Sequence, residues 1–275
     1  MTATLLKHEW LRTRSMLAAI AGVAVVLVVL GSVLAATRWP LISTIGAYAV
    51  IVTIAALVPA VQLALAADYW RSSYGRTGYF TQTLPVPGPT IFRAKLLWVW
   101  TATLGAIVGV LILGALAWPG TARGMGYPEL NPFVAFADFW SGLLETVPVW
   151  QLIVGLILAL ALGVLIWPVQ YYFAVSIGSE EPLNRLGAGG PVLMWLAVYV
   201  GAQLVTLVGL LVVPLGIGAV DGGALGIVSY APLSELTSSN PQDVMPLGII
   251  PALALVAAAL LWRTVRSWRS KVSLV

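Results

Sequence analysis

Charged residues divide this chain into a few long uncharged runs. They lie between Arg14 and Arg38 (23 residues), Arg38 and Asp68 (29), Lys95 and Arg123 (27), Glu145 and Glu180 (34), Arg185 and Asp221 (35), and Asp243 and Arg263 (19). No other run exceeds 16 residues. A charge at the bilayer centre costs about 2.5–3.5 kcal/mol on insertion scales, and a helix needs about 20 apolar residues to cross. The runs therefore predict six spans, near residues 17–36, 41–67, 96–118, 149–173, 191–217 and 246–264. The apolar part of the first is longer than the stretch of about 7–15 residues in a cleaved signal peptide.

Composition agrees with this reading. The chain is 60 % hydrophobic and 9 % charged, with a mean hydropathy of +0.97, where a soluble domain carries about 25 % charged residues. A soluble enzyme, a nucleic-acid-binding domain and a disordered chain are thereby excluded, and the bilayer is the expected surroundings. There is no cysteine, hence no disulfide or thiolate chemistry. The net charge of +4 says less than where the cations fall. With the N-terminus inside, the inner side holds Lys7, Arg12, Arg14, Arg71, Arg76, Arg93, Lys95, Arg185, Arg263, Arg266, Arg269 and Lys271, against Arg38 and Arg123 outside. That bias predicts cytoplasmic N- and C-termini. The expected fold is an all-α integral membrane protein, one transmembrane domain over residues 1–275.

Segments between spans carry their own patterns. Residues 1–16 place Leu6 and Trp10, with Leu17 beyond them, near one helical face and Lys7, Arg12 and Arg14 largely around the other, so an interfacial helix is expected before the first span. Asn131-Pro132 reads as a cap followed by a first-turn proline. Phe133, Phe136, Trp140 and Leu143 then recur at helical spacing opposite Asp138, Ser141 and Glu145, which describes an amphipathic helix on the outer leaflet. From about Ile217 to Pro246 the chain is rich in Gly, Ser, Pro and Asn, and its apolar patch, Ala224 to Val228, is too short to cross. A short hairpin around Tyr230–Asn240 and an ordinary exposed loop both fit. The basic stretch after Trp262 is expected to rest against anionic headgroups.

Catalytic patterns are missing. The sole histidine is His8; there is no zinc spacing and no GxxxxGK[ST] phosphate loop. The span interiors contain no Asp, Glu or His, which proton-coupled carriers usually place there. Their polar residues include Gln62, Gln151, Gln170 and Gln203, and a glutamine in a span more often ties helices together than binds substrate. No catalytic, cofactor-binding or metal-ligating set is therefore expected; the chain reads as no enzyme, and any work it does must be supplied by a partner. The one sizeable cytoplasmic surface to receive that work is residues 68–95. There Gly75, Gly78 and Gly88 permit turns and Pro85, Pro87 and Pro89 stop helices, leaving one or two helical turns over Gly78–Leu84. Tyr79, Phe80 and Leu84 form an apolar knob, rimmed by Arg71, Arg76 and Arg93, of the kind that docks into a partner.

The wording of this loop is more specific. GRTGYFTQTLPVPGPTIFRAKLL, Gly75–Leu97, resembles the first cytoplasmic loop of type-2 ATP-binding-cassette (ABC) exporter permeases, where glycine, basic, glycine, aromatic, threonine and leucine-proline-valine precede the Lys-Leu-Leu of the third helix. LLKHEWLRTRSM, Leu5–Met16, is similar to their amphipathic N-terminal segment, and YYFAVSIG, Tyr171–Gly178, to the end of their fourth helix. The resemblance implies two permease subunits, this chain with a second copy or a homologue, above two separate ATPase subunits that bind ATP and Mg. It implies a coupling helix that enters a cleft on the ATPase, carried here by Arg76, Gly78, Tyr79, Phe80, Thr81, Gln82, Thr83, Leu84 and Arg93, and moving as a lever with the second and third spans. The proline-rich Pro85–Thr90 departs from the family pattern. Pro59 and Gly46 are candidate flexible points, and Gln62 and Gln203 are candidate pathway residues. Spans this apolar favour a hydrophobic or amphiphilic substrate such as a drug, lipid or peptide. Eleven Arg against three Lys suit a GC-rich bacterium, hence a bacterial plasma membrane. Two alternatives stand beside the exporter: a non-transporting membrane sensor or immunity scaffold, and a self-powered carrier, which the missing ionisable groups disfavour.

Overall fold

The structure is a computed structural model that describes residues 2–75, 78–83, 85–220, 225–235 and 244–270. Each uncharged run becomes a helix: α1 (Thr2–Ala36), α2 (Pro40–Ser73), α4 (Gly88–Met125), a compound helix over Val149–Gly178, α8 (Gly189–Val212) and α10 (Ile249–Ser270). Among the described residues these six helices are long and apolar enough to cross a bilayer, which makes the chain a multi-pass membrane protein. A five-residue helix, α3 (Gly78–Gln82), lies between the second and third spans. Between the third and fourth lies α5 (Pro132–Thr146).

Several boundaries differ from the sequence expectation. Residues 2–16 are not a separate interfacial helix: α1 runs unbroken for 35 residues, because no glycine or proline interrupts it before the apolar run. Likewise α4 opens at Gly88, seven residues before Lys95, with Pro89 in its first turn, where proline is pre-organised for a helix. At about 1.5 Å per residue, α1, α2 and α4 are each longer than a hydrocarbon core of about 30 Å. The fourth span is compound: α6 (Val149–Leu160) passes through a π-helical turn (Ala161–Ile166) into α7 (Trp167–Gly178). Pro168 explains the wide turn. It has no N–H to donate and its ring crowds the carbonyl four residues back.

The fifth span ends at Val212 rather than near 217. Pro214 forces Val213 into an extended conformation (φ −111°, ψ 88°). The chain then enters a three-stranded antiparallel sheet, β1 (Leu215–Ala219), β2 (Leu225–Ser229) and β3 (Met245–Pro246), in the order β2-β1-β3. Ile217 faces Ile227 on one side and Met245 on the other. The helical fold thus carries one small sheet that an all-α reading leaves out, and the antiparallel pair lies N-terminal to Tyr230. A four-residue helix, α9 (Pro232–Glu235), follows, while residues 236–240 of the expected hairpin lie outside the described residues. As predicted, α5 is capped by Asn131, whose Oδ1 accepts from Phe133 N at 3.0 Å. Phe133, Phe136 and Phe139 are exposed on it.

Two compact units make up the chain, Met1–Asp68 with Arg93–Gly142, and Tyr69–Phe92 with Leu143–Val275. In the first, Gly31 and Gly46 let α1 and α2 touch: a Cβ at Gly46 would lie 2.5 Å from Ala35 N and 2.6 Å from Gly31 O. Gly46, proposed as a flexible point, is a packing contact of the kind that joins membrane helices. Ser32 Oγ donates to Ala117 O at 3.1 Å, joining α1 to α4. Val28, Leu57, Val61 and Val99 are buried at this unit's centre. In the second, Gly178 meets Gly190 between α7 and α8, and Gly209 on α8 meets Gly248 before α10. Elsewhere the spans expose apolar side chains, among them Val192, Leu196 and Val200 on α8, as a lipid-facing surface requires.

Candidate functional site

The segment from α2 to α4 is built from its glycines and hydroxyls upward. Tyr74 N and Gly75 N both donate to Trp70 O at 2.9 Å and close α2, and Gly78 N donates to Gly75 O at 2.7 Å as α3 begins. Thr81 Oγ1 donates to Ser72 O at 2.6 Å, tethering α3 to the end of α2. Gly78 is buried, whereas Tyr79 and Phe80 project with 58 % and 71 % of their surface exposed. Their rings meet edge to face, centroids 5.8 Å apart. Gln82 closes the helix. Thr83 is exposed beside it, its Oγ1 donating to Phe80 O at 3.1 Å. Arg76 and Leu84 lie outside the described residues. Arg93 is exposed on α4, in the other compact unit.

Beside this segment lies a cluster that sequence reasoning missed. Tyr69, Tyr74, Phe92, Tyr172 and Trp268 are all buried. Tyr69 stacks on Tyr172 with centroids 4.2 Å apart and planes 11° from parallel. Its hydroxyl accepts from Trp268 Nε1 at 2.8 Å and shares a hydrogen bond with Ser176 Oγ at 2.7 Å. Burial pushes the Tyr74 phenol up to about 12, since the low-dielectric surroundings disfavour the phenolate. Gly88 brings the start of α4 against α10, where a Cβ would lie 2.5 Å from Trp268 O. The Arg263 guanidinium forks onto Glu180 (Nη1–Oε1 3.0 Å, Nη2–Oε2 2.6 Å), and Ser267 Oγ donates to Glu180 Oε1 at 2.6 Å. Of the basic residues after Trp262, Arg263 is thus paired with Glu180, Arg266 and Arg269 are exposed on α10, and Lys271 lies outside the described residues.

A second missed cluster lies in the other unit. Lys95, 2 % exposed, places Nζ 3.0 Å from Glu9 Oε1. Arg12 Nη2 reaches Asp68 Oδ2 at 2.6 Å and also contacts Glu9. Two cations thus meet two carboxylates, and the pairing offsets their desolvation. Trp98 Nε1 donates to Thr13 Oγ1 at 3.1 Å and its ring meets Trp10 edge-on at 5.6 Å. The available sign was Lys95 within the buried run Ile91, Phe92, Ala94, Leu96 and Val99: a lysine there needs a carboxylate.

The pathway candidates belong to different units. Gln62 is buried in the first unit, and Gln203 is exposed on α8 in the second. No protein-family model, curated protein or solved structure matches the chain.

Proposed function

We propose that this chain is the permease subunit of a type-2 ABC exporter in a bacterial plasma membrane, working with a second permease and driven by two ATPase subunits. The observation that carries the reading is the exposed Tyr79–Phe80 pair on α3, inside the Gly75–Leu97 stretch that resembles the coupling loop of those permeases. Adjacent aromatic rings in a polar phase are costly to leave uncovered, and aromatic residues dominate the energetics of protein interfaces. In this reading ATP closes the partner dimer, hydrolysis resets it, and α3 follows. The substrate is hydrophobic or amphiphilic, in keeping with the apolar spans.

The test is retention of an ATPase. The tagged chain, purified in mild detergent from its native membrane, is expected to bring down a nucleotide-hydrolysing protein. Phe80→Asp, inserted to the same level, is expected to lose it. A wild-type chain that retains no ATPase, or a Phe80→Asp variant that retains as much as wild type, overturns the proposal.

A further inference from the structure

Trp268 touches both ends of the segment that carries α3. At the α2 end its indole N–H donates to the Tyr69 hydroxyl (Oη) at 2.8 Å, and Tyr69 stands one helical turn before Ser72, whose carbonyl holds Thr81 of α3. At the α4 end the Trp268 carbonyl abuts Gly88, and its ring lies 6.4 Å from that of Phe92. The hydrogen bonding has a direction. An indole nitrogen only donates, so the Tyr69 oxygen accepts from it, and the Tyr69 proton is free to turn to Ser176 Oγ on α7. Tyr69 thereby joins Trp268 on α10 to Ser176 on α7, with the Tyr74 hydroxyl 3.5 Å from its own. A second tie, Glu180 to Arg263 and Ser267, joins the residues just after α7 to the same end of α10. All these residues, and α3, belong to one compact unit, Tyr69–Phe92 with Leu143–Val275.

We propose that Trp268 is a positioning residue through which displacement of α3 moves α10 and α7, so that the pull of a docked ATPase reaches those helices as well as passing along α2 and α4. Close-packed interiors transmit displacement rather than absorb it, and the stacked rings of Tyr69 and Tyr172, with Trp268 against them, leave little room to yield. The inference rests on the exporter reading and goes beyond it, since that reading assigns the lever to the second and third spans alone.

The chain has no native cysteine, so one reporter can be placed cleanly. Trp262→Cys, at an exposed position on α10, is labelled with bimane in the complex purified with its ATPase, and emission is compared without nucleotide and with Mg-ATP plus vanadate. A nucleotide-dependent shift is expected in the otherwise wild-type chain. It is expected to be lost in Trp268→Phe and in Tyr69→Phe, while the nucleotide-free spectrum and the retained ATPase stay as in wild type. Tyr69→Phe keeps the ring and loses only the hydroxyl, so it carries the test if Trp268→Phe does not insert. A purely structural residue would alter the nucleotide-free spectrum as well, and that result overturns the proposal. So does a shift that persists in both variants, or none in wild type. If wild type retains no ATPase, the exporter reading falls and this inference with it, an outcome distinct from a retained ATPase with a silent α10.

Discussion

Gly46 and Gly105 are both helical glycines, yet alanine should act oppositely at the two. At Gly46 the new methyl would press on backbone atoms of α1 at 2.5 and 2.6 Å, and neither can rotate away. Gly46→Ala should therefore destabilise by about 1–3 kcal/mol. At Gly105 a Cβ meets nothing within 4 Å, and alanine's helix preference of up to about 1 kcal/mol should leave stability unchanged or raised. Unfolding midpoints in mild detergent decide both. For the buried ion pair, Lys95→Met strands Glu9 beside Arg12 alone, so the loss should fall toward the lower end of the ~3–5 kcal/mol expected when one partner is removed. Lys95→Met combined with Glu9→Gln should recover part of that midpoint. Tyr74 gives a pH test. Its folded-state value of about 12 exceeds the ordinary 10.0, so its contribution is complete below about pH 10 and declines as pH rises toward 12. The melting temperature should fall over that window, and less steeply in Tyr74→Phe. At this scale the exposed Tyr79 and Phe80 were readable, because glycines and prolines isolate them from any long apolar stripe. The partners of Lys95 were not, since Glu9 lies far away in sequence.

Among the elements, the helices follow the uncharged runs because hydrocarbon rejects charge wherever it falls. Their ends follow local chemistry: Asn131 caps α5, Pro214 stops α8, and the absence of any breaker carries α1 back to Thr2. The first of these was visible in advance. The continuity of α1 was not, because an amphipathic segment reads alike whether it lies along the membrane or packs as part of a span. The π-turn tests the proline argument. Pro168→Ala restores a donor and removes the ring, so regular bonding should return and amide exchange across Ala161–Ile166 should slow. Unchanged exchange there would mean that neighbouring helices, not Pro168, hold the wide turn open.

For the molecule as a whole, sidedness is the outstanding arithmetic. One span separates Thr83 from Ser141, so single cysteines at these exposed positions should label from opposite faces of the membrane. With cytoplasmic termini, Thr83→Cys reacts only after permeabilisation and Ser141→Cys reacts in intact cells. The six spans, the cap of α5 and the short aromatic helix α3 follow from the order of residues alone, because burying a charge, capping a turn or breaking a helix involves only neighbours in the chain. What required the folded molecule is the company each residue keeps: Lys95 with Glu9, Glu180 with Arg263, and Trp268 with Tyr69, 199 positions apart. Such pairings depend on distances in space, which no local window of sequence contains.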